Sequence, residues 1–293
     1  MIPIVFSTDH NFVMPTGVTI LSLLEADPKN GYAINVIIGN DVTREDKAIL
    51  KRQVEKASDK STINFVEIGD TFDKGFEIRG ISKACYSRLM IPWLFPQYDK
   101  IIYSDVDVIF KGGLRELYDI NIGDNLVGGV GGNVYKKGRV KKYLHKLNLN
   151  PNDYINSGFL LINSRLQREL NLQERYINLA GKQFLYQDQD IINIICKDRI
   201  KRIPDEYNVR PSHFVKFSQN SVKMIHYIGM KPWDYFTYCW AFWWEVYQRS
   251  IFYDPKYAHK ISEKILNPAE RIIIMRKYVK SKLLQTLKTL TGK

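Results

Sequence analysis

The first 70 residues alternate regularly between strand and helix patterns. Short apolar runs typical of extended segments cover residues 4–7, 33–38 and 63–68, and helical patterns cover residues 16–25 and 44–56. Such alternation favours right-handed crossovers between strands that run in the same direction. We therefore predict an α/β fold with a mixed, mostly parallel sheet that is flanked by helices.

Carboxylates follow two of the predicted strands. Asp9 comes just after the first strand, and Asp105 and Asp107 follow the buried apolar run 101–103. In parallel sheets, ligands gather at the carboxyl ends of the strands. Because residues i and i+2 of an extended chain point to the same side, the Asp105 and Asp107 carboxylates can converge on one divalent cation, which suits a nucleotide diphosphate. The alternative is a pair of ordinary turn or helix-cap carboxylates.

The composition is that of a globular protein. The chain has 293 residues, of which 45% are hydrophobic and 25% charged, enough for one large domain or two small ones. Cys85, Cys196 and Cys239 are widely separated, so we expect buried thiols in a reducing compartment. The sequence begins without a basic leader and has no apolar stretch of about 20 residues, so we expect a cytoplasmic protein.

The formal net charge of +12 predicts attraction to an anionic partner, whether nucleic acid, a membrane surface or a phosphorylated substrate. Residues 268–293 contain seven basic residues and one acidic residue, which amounts to +6. Asn267 as N-cap, Pro268 and Glu270 predict the start of a helix here. Its apolar residues recur at intervals of three and four: Ile272, Met275, Val279, Leu283, Leu287 and Leu290. Such a basic amphipathic helix suits an anionic membrane surface, and packing against the protein itself is equally consistent with the pattern.

Other segments show weaker patterns. The glycine-rich, basic segment 128–142 predicts a mobile surface loop, either a plain connection or a substrate lid. Residues 154–163 predict a strand, and residues 188–196 predict a helix. The aromatic residues between Trp233 and Phe252 mainly predict packing, with an acceptor or membrane contact as the alternative.

Polar motifs elsewhere in the chain could join the acidic pair. They offer groups for a nucleoside, for phosphates, for sugar hydroxyls and for a metal, in the segments 6–12 (FSTDHNF), 82–89 (SKACYSRL), 156–158 (NSG), 187–190 (QDQD) and 225–233 (IHYIGMKPW). Each has a plainer alternative. His226 could be a hydrogen-bonded core histidine, Arg88 a surface cation and Asp188 a helix cap.

Taken together, these motifs resemble glycosyltransferase family 8, whose members are retaining transferases that use sugar nucleotides. The resemblance runs from Ile4 to about Trp233. It implies a GT-A fold, which is Rossmann-like, in a catalytic domain that we place at residues 1–253. Residues 254–293 would form a basic, amphipathic helical C-terminal segment.

The resemblance also implies roles for individual residues. Asp105, Asp107 and His226 would bind Mn²⁺, with Mg²⁺ as the alternative. The remaining positions would surround the donor: Ser7, Asp9, Asn11 and Phe12 at the uridine, Val106 through its backbone, Arg88, Asn156, Ser157, Asp188 and Gln189 at the sugar, and Gly229 and Lys231 at the diphosphate. The chain departs from the family at three positions. Phe12 stands where many members have tyrosine, and Val106 stands where the central residue of the acidic motif is usually small or polar. Met230 is the single residue between Gly229 and Lys231, where bacterial relatives carry two.

The implied activity is retaining transfer of galactose or glucose from a UDP-sugar to a glycan or lipid-linked saccharide. Asp188 would orient the sugar and Gln189 would shield the cationic anomeric carbon during attack on the face that UDP leaves. The alternatives are a nucleotidyltransferase, or a catalytically silent protein that binds carbohydrate or membrane. No nucleic-acid motif accompanies the charge, so we expect no nucleic-acid partner. An anionic membrane surface would be met through residues 267–293, at the inner face of the cytoplasmic membrane.

Overall fold

The computed structural model describes residues 1–69, 83–218, 220–234, 237–267 and 272. Within these residues the chain forms nine strands: β1 Ile2–Thr8, β2 Tyr32–Ile38, β3 Thr62–Glu67, β4 Lys100–Ser104, β5 Val108–Phe110, β6 Val127–Gly131, β7 Ile155–Asn163, β8 Ile200–Arg202 and β9 Met224–His226. The described α-helices are α1 Val13–Ala26, α2 Arg44–Ala57, α3 Ile91–Leu94, α4 Arg115–Tyr118, α5 Gly138–Lys146, α6 Ser164–Glu169, α7 Gln173–Ala180, α8 Gln187–Ile195, α9 Trp240–Arg249 and α10 Pro255–Leu266. Short 3-10 helices cover His10–Phe12, Lys83–Met90, Asn133–Lys136, Asp205–Tyr207 and Pro211–Lys216.

Seven of the described strands form one sheet in the order β3-β2-β1-β4-β7-β6-β8. Neighbouring strands are parallel except where β7 meets β4 and β6. The predicted mixed, mostly parallel sheet is therefore confirmed, with β7 as the reversed strand. Because β7 begins where β4 and β6 end, its first residues lie at the same edge as the residues that follow those two strands.

Helices cover both faces of this sheet. Alternate residues of β1 face opposite sides: Ile4 and Phe6 belong to the same core cluster as Leu23 of α1, whereas Val5 belongs to the cluster that contains Ile191 of α8. β2 is buried along its whole length. Strands that are buried on both faces have nearly continuous apolar sequences, which is why these segments are readable as strands.

A second, two-stranded sheet lies beside the main one. β5 pairs antiparallel with β9, and the register places Val108 opposite His226. The backbone amide of Tyr227 also donates to the carbonyl of Asp107 at 2.9 Å. This pairing carries a residue from late in the chain to the segment that follows β4.

The segment 128–142 is not the surface loop that the sequence predicts. It contains the end of β6, the 3-10 helix Asn133–Lys136 and the start of α5. The glycines of β6 permit close packing: a Cβ on Gly129 would lie 2.5 Å from the Cδ1 atom of Ile155 on β7. The glycine content thus reflects a tight strand contact and not a mobile loop.

The aromatic segment after Trp233 forms a third core cluster, which includes Trp243, Trp244 and Tyr247. α10 packs on it through Ile261 and Tyr257. Asn267 has extended dihedral angles at the end of α10. The basic helix predicted after Asn267 lies outside the described residues, apart from Ile272, and the division of the chain at residue 253 stays a prediction.

The cysteines are free thiols. Cys196 is buried as expected, whereas Cys85 and Cys239 are only partly buried. Among the described residues, no helix combines the length and the apolar character that crossing a membrane requires.

Candidate functional site

A cavity of about 620 Å³ opens at the carboxyl edge of the sheet, where β1 and β4 end and α8 begins. Most of the predicted site residues line it: Ser7, Asp9, Asn11, Phe12, Arg88, Asp105, Val106, Asp107, Ser157, Asp188, Gln189 and Lys231. Asn156, Gly229 and His226 do not line the cavity. His226 and Asn156 lie behind the residues that line the cavity, and Gly229 is exposed with a φ of 101°.

The acidic pair lies in a bend between β4 and β5, not in extended backbone as the sequence predicts. The bend is held from α1, because the buried Thr19 hydroxyl lies 2.8 Å from the Val106 carbonyl and 2.9 Å from the Val108 carbonyl. The two carboxylates still converge. Their position is set by this bend and not by the alternation of a strand.

His226 lies beneath the pair and is 2% exposed. Its Nε2 atom lies 3.1 Å from Asp107 Oδ1 and 3.6 Å from Asp105 Oδ2. One donor atom from each of the three residues can be chosen such that all lie within 4.8 Å of one another. The β5–β9 pairing is what brings His226 to the aspartates.

A chain of buried hydrogen bonds determines which nitrogen of His226 carries the proton. The Asp190 carboxylate accepts from the Tyr154 hydroxyl at 2.5 Å, and the Tyr154 oxygen accepts from Gln189 Nε2 at 3.0 Å. The Gln189 oxygen accepts from Asn156 Nδ2 at 2.9 Å. Each amide is thereby oriented by the one before it.

The same series of hydrogen bonds continues to His226. Asn208 Nδ2 donates to Asn156 Oδ1 at 2.9 Å, which leaves Asn208 Oδ1 as the acceptor for His226 Nδ1, also at 2.9 Å. His226 Nδ1 is therefore a donor, and in the neutral ring the Nε2 lone pair faces Asp105 and Asp107. The Nε2 lone pair and the two carboxylates repel one another, and a cation between them would relieve that repulsion.

A glycine beside the three residues lets two of them approach each other. A Cβ on Gly158 would lie 2.3 Å from His226 Cε1 and 2.5 Å from Asp105 Oδ2, so only glycine leaves room for both side chains. Two carboxylates and one imidazole are a donor set that divalent cations accept. The residues present therefore fit a divalent metal ion.

Lys231 reaches the same place. Its ammonium group contacts Asp107 and donates to the Tyr227 carbonyl at 3.1 Å. Burial by itself would raise the pKa of Asp107, but the nearby Lys231 ammonium opposes burial, and this pKa is held far below its ordinary value. The single residue between Gly229 and Lys231 is thus enough for the lysine to reach the cavity.

Arg88 connects the acidic pair to the start of α8. Its guanidinium lies 2.9 Å from Asp105 Oδ1 and 3.3 Å from Asp188 Oδ2, and donates to the Ser157 carbonyl at 2.9 Å. The Tyr103 ring lies under the guanidinium at 4.6 Å, and the Tyr103 hydroxyl donates to Asp105 at 2.7 Å. Arg88 is therefore a buried, fixed cation and not the surface side chain of the plainer alternative.

Asp188 is a buried carboxylate at the start of α8. Burial raises its pKa, while Arg88 opposes that rise. Among the described residues, its Oδ2 atom has no hydrogen-bond partner of acceptable geometry, despite its closeness to Arg88. The Asp188 side chain also forms part of the cavity wall.

The side of the cavity after β1 is shaped by the 3-10 helix His10–Phe12. Asp9 caps it, because the carboxylate accepts from the backbone amide of Phe12 at 3.1 Å. The Phe12 ring packs edge-on against Trp233, with ring centroids 6.0 Å apart. The Ser7 hydroxyl lies 2.9 Å from that of Ser87.

Some residues of the site were missed from the sequence. Tyr103 is adjacent to the acidic motif and could have been found from that position. Asn208 lies between motifs, and its contact with His226 depends on the β9 backbone and not on any local pattern. Ser82, the first residue of the motif that carries Arg88, lies outside the described residues.

Comparisons with known proteins agree with this geometry. Residues 3–237 match the family described as Glycosyl transferase family 8. A glycosyltransferase of Haemophilus influenzae is 31% identical over 216 residues, which cover 71% of this chain and 63% of that protein. The chain thus spans less than two thirds of the length of that relative. A lipopolysaccharide 1,3-galactosyltransferase of Salmonella typhimurium is 23% identical over 245 residues, which cover 78% of this chain and 72% of the relative.

A solved structure shares the fold. The galactosyltransferase LgtC, crystallised with donor and acceptor sugar analogues, superposes with a TM-score of 0.75 at 23% identity, covering 88% of this chain and 100% of that one. This likeness confirms the GT-A fold. With a family match over most of its length and a relative at 31% identity, the chain belongs to glycosyl transferase family 8.

Proposed function

We propose that the protein is a retaining hexosyltransferase that moves galactose or glucose from a UDP-sugar to a hydroxyl of a saccharide acceptor. The observation that carries this proposal is that Asp105, Asp107 and His226 converge beside the cavity that Asp188 and Gln189 line. A diphosphate anchor and a sugar-side carboxylate then share one site. The donor's two halves would each find groups of the right chemistry.

The nucleoside would lie beside β1, against Ser7, Asp9, Asn11 and Phe12. The sugar would lie toward α8, where Arg88, Asn156, Ser157, Asp188 and Gln189 provide charged and amide groups. Gly229 and Lys231 would contact the diphosphate, together with the Val106 backbone. The Asp188 side chain lines the cavity, which supports a hydrogen bond from a sugar hydroxyl.

Asp105, Asp107 and His226 would hold Mn²⁺, with Mg²⁺ as the alternative, and the bound cation would supply positive charge opposite the departing diphosphate. Lys231 contributes a second positive charge from the protein itself. Its contact with Asp107 shows that the ammonium group can lie at this end of the cavity.

Transfer would occur on the face that UDP leaves. The bond between the anomeric carbon and the UDP oxygen breaks, the acceptor oxygen bonds to that carbon, and the acceptor proton passes to the departing phosphate oxygen. Asp188 orients the sugar, and the Gln189 amide, fixed by Asn156 and Tyr154, shields the cationic carbon. A carboxamide is a feeble nucleophile, which favours this route over a covalent intermediate on Gln189.

The acceptor class comes from a relative. Because the Salmonella protein is a lipopolysaccharide galactosyltransferase, we propose a lipid-linked saccharide as the acceptor. Residues 267–293 would bind the anionic membrane surface that carries such an acceptor. The protein would then act in the cytoplasm, peripheral to the inner face of the cytoplasmic membrane.

A UDP-release assay across UDP-sugars tests the proposal. With Mn²⁺ we expect release from UDP-galactose or UDP-glucose, and loss of that release in excess EDTA, restored by added Mn²⁺. Asp105→Asn should abolish release, while the charge-matched control Asp59→Asn, at an exposed residue before β3, should retain it. Release that survives EDTA would contradict the metal role. Release of pyrophosphate instead of UDP would favour a nucleotidyltransferase, and no turnover with intact sugar binding would favour a silent carbohydrate-binding protein.

A further inference from the structure

A second cavity, of about 220 Å³, has five basic residues among the twelve that line it. We name it the basic pocket and define it by Lys136, Arg202, Arg210, His213 and Lys216, with Asp205 as its one acid. Among the described residues, no carboxylate lies within ion-pair distance of Lys136, Arg202, Arg210 or Lys216. The pocket thus has an uncompensated positive charge.

The electrostatics of His213 agree with that charge. The pKa of His213 is lowered, first by burial and then by Lys216 and Arg210, which disfavour another positive charge beside them. A concave site with a positive field concentrates anions. The geometry and the field therefore point to an anionic ligand.

One of these cations lies against the backbone at the end of β6. A Cβ on Gly131 would lie 1.9 Å from the Nη1 atom of Arg202, so the absence of a side chain lets the guanidinium lie against the end of β6. Arg202 in turn ends β8, and its neighbour Lys201 pairs with Gly128 in the β6–β8 ladder. The Arg202 side chain is therefore placed by the sheet and not by a loop.

The topology puts the basic pocket at the same sheet edge as the first cavity. Gly131 at the end of β6 pairs with Ile155 at the start of β7, and Asn156 and Ser157 follow directly. Asn208 connects the two regions, because it lines the basic pocket and also bonds to His226 and Asn156, which lie behind the wall of the first cavity.

Tyr135 is a second link. Burial raises the pKa of Tyr135, and Arg210, Asn156 and Gln189 partly offset that rise, so all three side chains lie next to its hydroxyl. Gln189 faces the reacting carbon in the proposed function, and Arg210 faces the basic pocket. Tyr135, which is 4% exposed, therefore connects the side chains at the first cavity to the cations of the basic pocket.

We propose that the basic pocket binds an anionic substituent, a phosphate or carboxylate, of the saccharide acceptor. The donor's phosphates already have Arg88, Lys231 and the metal-binding residues, so the basic pocket is left for the other substrate. This inference rests on the proposed function, and it narrows the acceptor class to saccharides that carry a negative charge near the attacking hydroxyl. Two or more charge-assisted hydrogen bonds would make the preference for such acceptors large.

Three matched probes test this inference: glucose 6-phosphate, glucose and inorganic phosphate. Each probe is titrated with and without saturating UDP and Mn²⁺, and its binding is followed by ligand-observed NMR. We expect glucose 6-phosphate to bind at least about tenfold tighter than glucose, also when UDP and Mn²⁺ fill the first cavity. The variant Arg202→Gln/Lys216→Gln should reduce the preference to about twofold or less. The control Arg52→Gln/Lys56→Gln removes the same charge from the exposed side of α2 and should retain the preference for glucose 6-phosphate.

Four outcomes would overturn the inference. The first is equal binding of glucose and glucose 6-phosphate, and the second is a preference for glucose 6-phosphate that survives in Arg202→Gln/Lys216→Gln. The third is inorganic phosphate that binds as tightly as glucose 6-phosphate. The fourth is binding of phosphatidylglycerol vesicles that depends on Arg202 and Lys216, while sugar phosphates do not bind. The third would assign the pocket to a free phosphate, and the fourth to a lipid headgroup. None of these measurements requires turnover, so failure of the proposed function, seen as absent UDP release, is distinguishable from failure here.

Discussion

At the scale of single residues, the site depends on side chains that never touch a ligand. The His226 Nε2 atom faces Asp105 and Asp107 because the Nδ1–H group donates a hydrogen bond to Asn208. Asn208 is itself oriented by Asn156. A partner that fixes the tautomer of a ligating histidine commonly contributes about 10- to 100-fold to metal affinity.

We therefore expect Asn208→Ala to weaken Mn²⁺ binding about 10- to 100-fold, as measured by electron paramagnetic resonance of free Mn²⁺. Asn208→Asp keeps an acceptor for Nδ1 while losing the donor to Asn156, so it should bind Mn²⁺ within about threefold of the wild type. A purely structural role would lower the Tm of both variants and affect Mn²⁺ binding in neither. Wild-type Mn²⁺ affinity in Asn208→Ala would contradict the role given to Asn208.

At the scale of elements, helix α1 holds the acidic bend. The buried Thr19 hydroxyl is shared between the Val106 and Val108 carbonyls on either side of Asp107. Thr16, one turn earlier, bonds instead to the Phe12 carbonyl at 2.7 Å and so supports the other end of the cavity. One helix thus positions two parts of the site through separate hydroxyls.

Thr19→Val should leave these carbonyls without their buried donor and cost about 1 to 3 kcal/mol of unfolding free energy. Because the bend carries both aspartates, Mn²⁺ affinity should fall as well. Thr16→Val is the matched control: it should lose a similar stability in urea unfolding and keep its Mn²⁺ affinity. Equal Mn²⁺ affinity in the two variants would show that α1 does not set the position of the bend.

The elements also show what the sequence could and could not predict. The strands β1, β2 and β3 and the helices between them were readable because each carries its own periodic pattern. β6 and the start of α5 were not, because Gly128 and Gly129 weaken the strand signal while packing against Leu161 and Ile155. The converging carboxylates were predicted, but the bend that aims them depends on Thr19, more than 80 residues earlier in the chain.

At the scale of the whole molecule, the excess positive charge is not spread evenly. The basic pocket takes part of it near the first cavity, and residues 268–293 take +6 of the net +12. A lipid-linked, negatively charged acceptor would meet both regions at once. The charge distribution is then consistent with one substrate that lies at a membrane surface.

Deletion of residues 268–293 separates the two roles that the sequence allows for this segment. A basic residue near an anionic surface contributes roughly 1 kcal/mol to binding, so the loss of six net charges should reduce cosedimentation with phosphatidylglycerol vesicles at least about tenfold. UDP release and Tm should stay close to those of the full chain, and raising the salt concentration should weaken vesicle binding of the full chain in the same direction. If the deletion instead lowers the Tm and leaves vesicle binding unchanged, the segment packs against the protein and the membrane contact lies elsewhere.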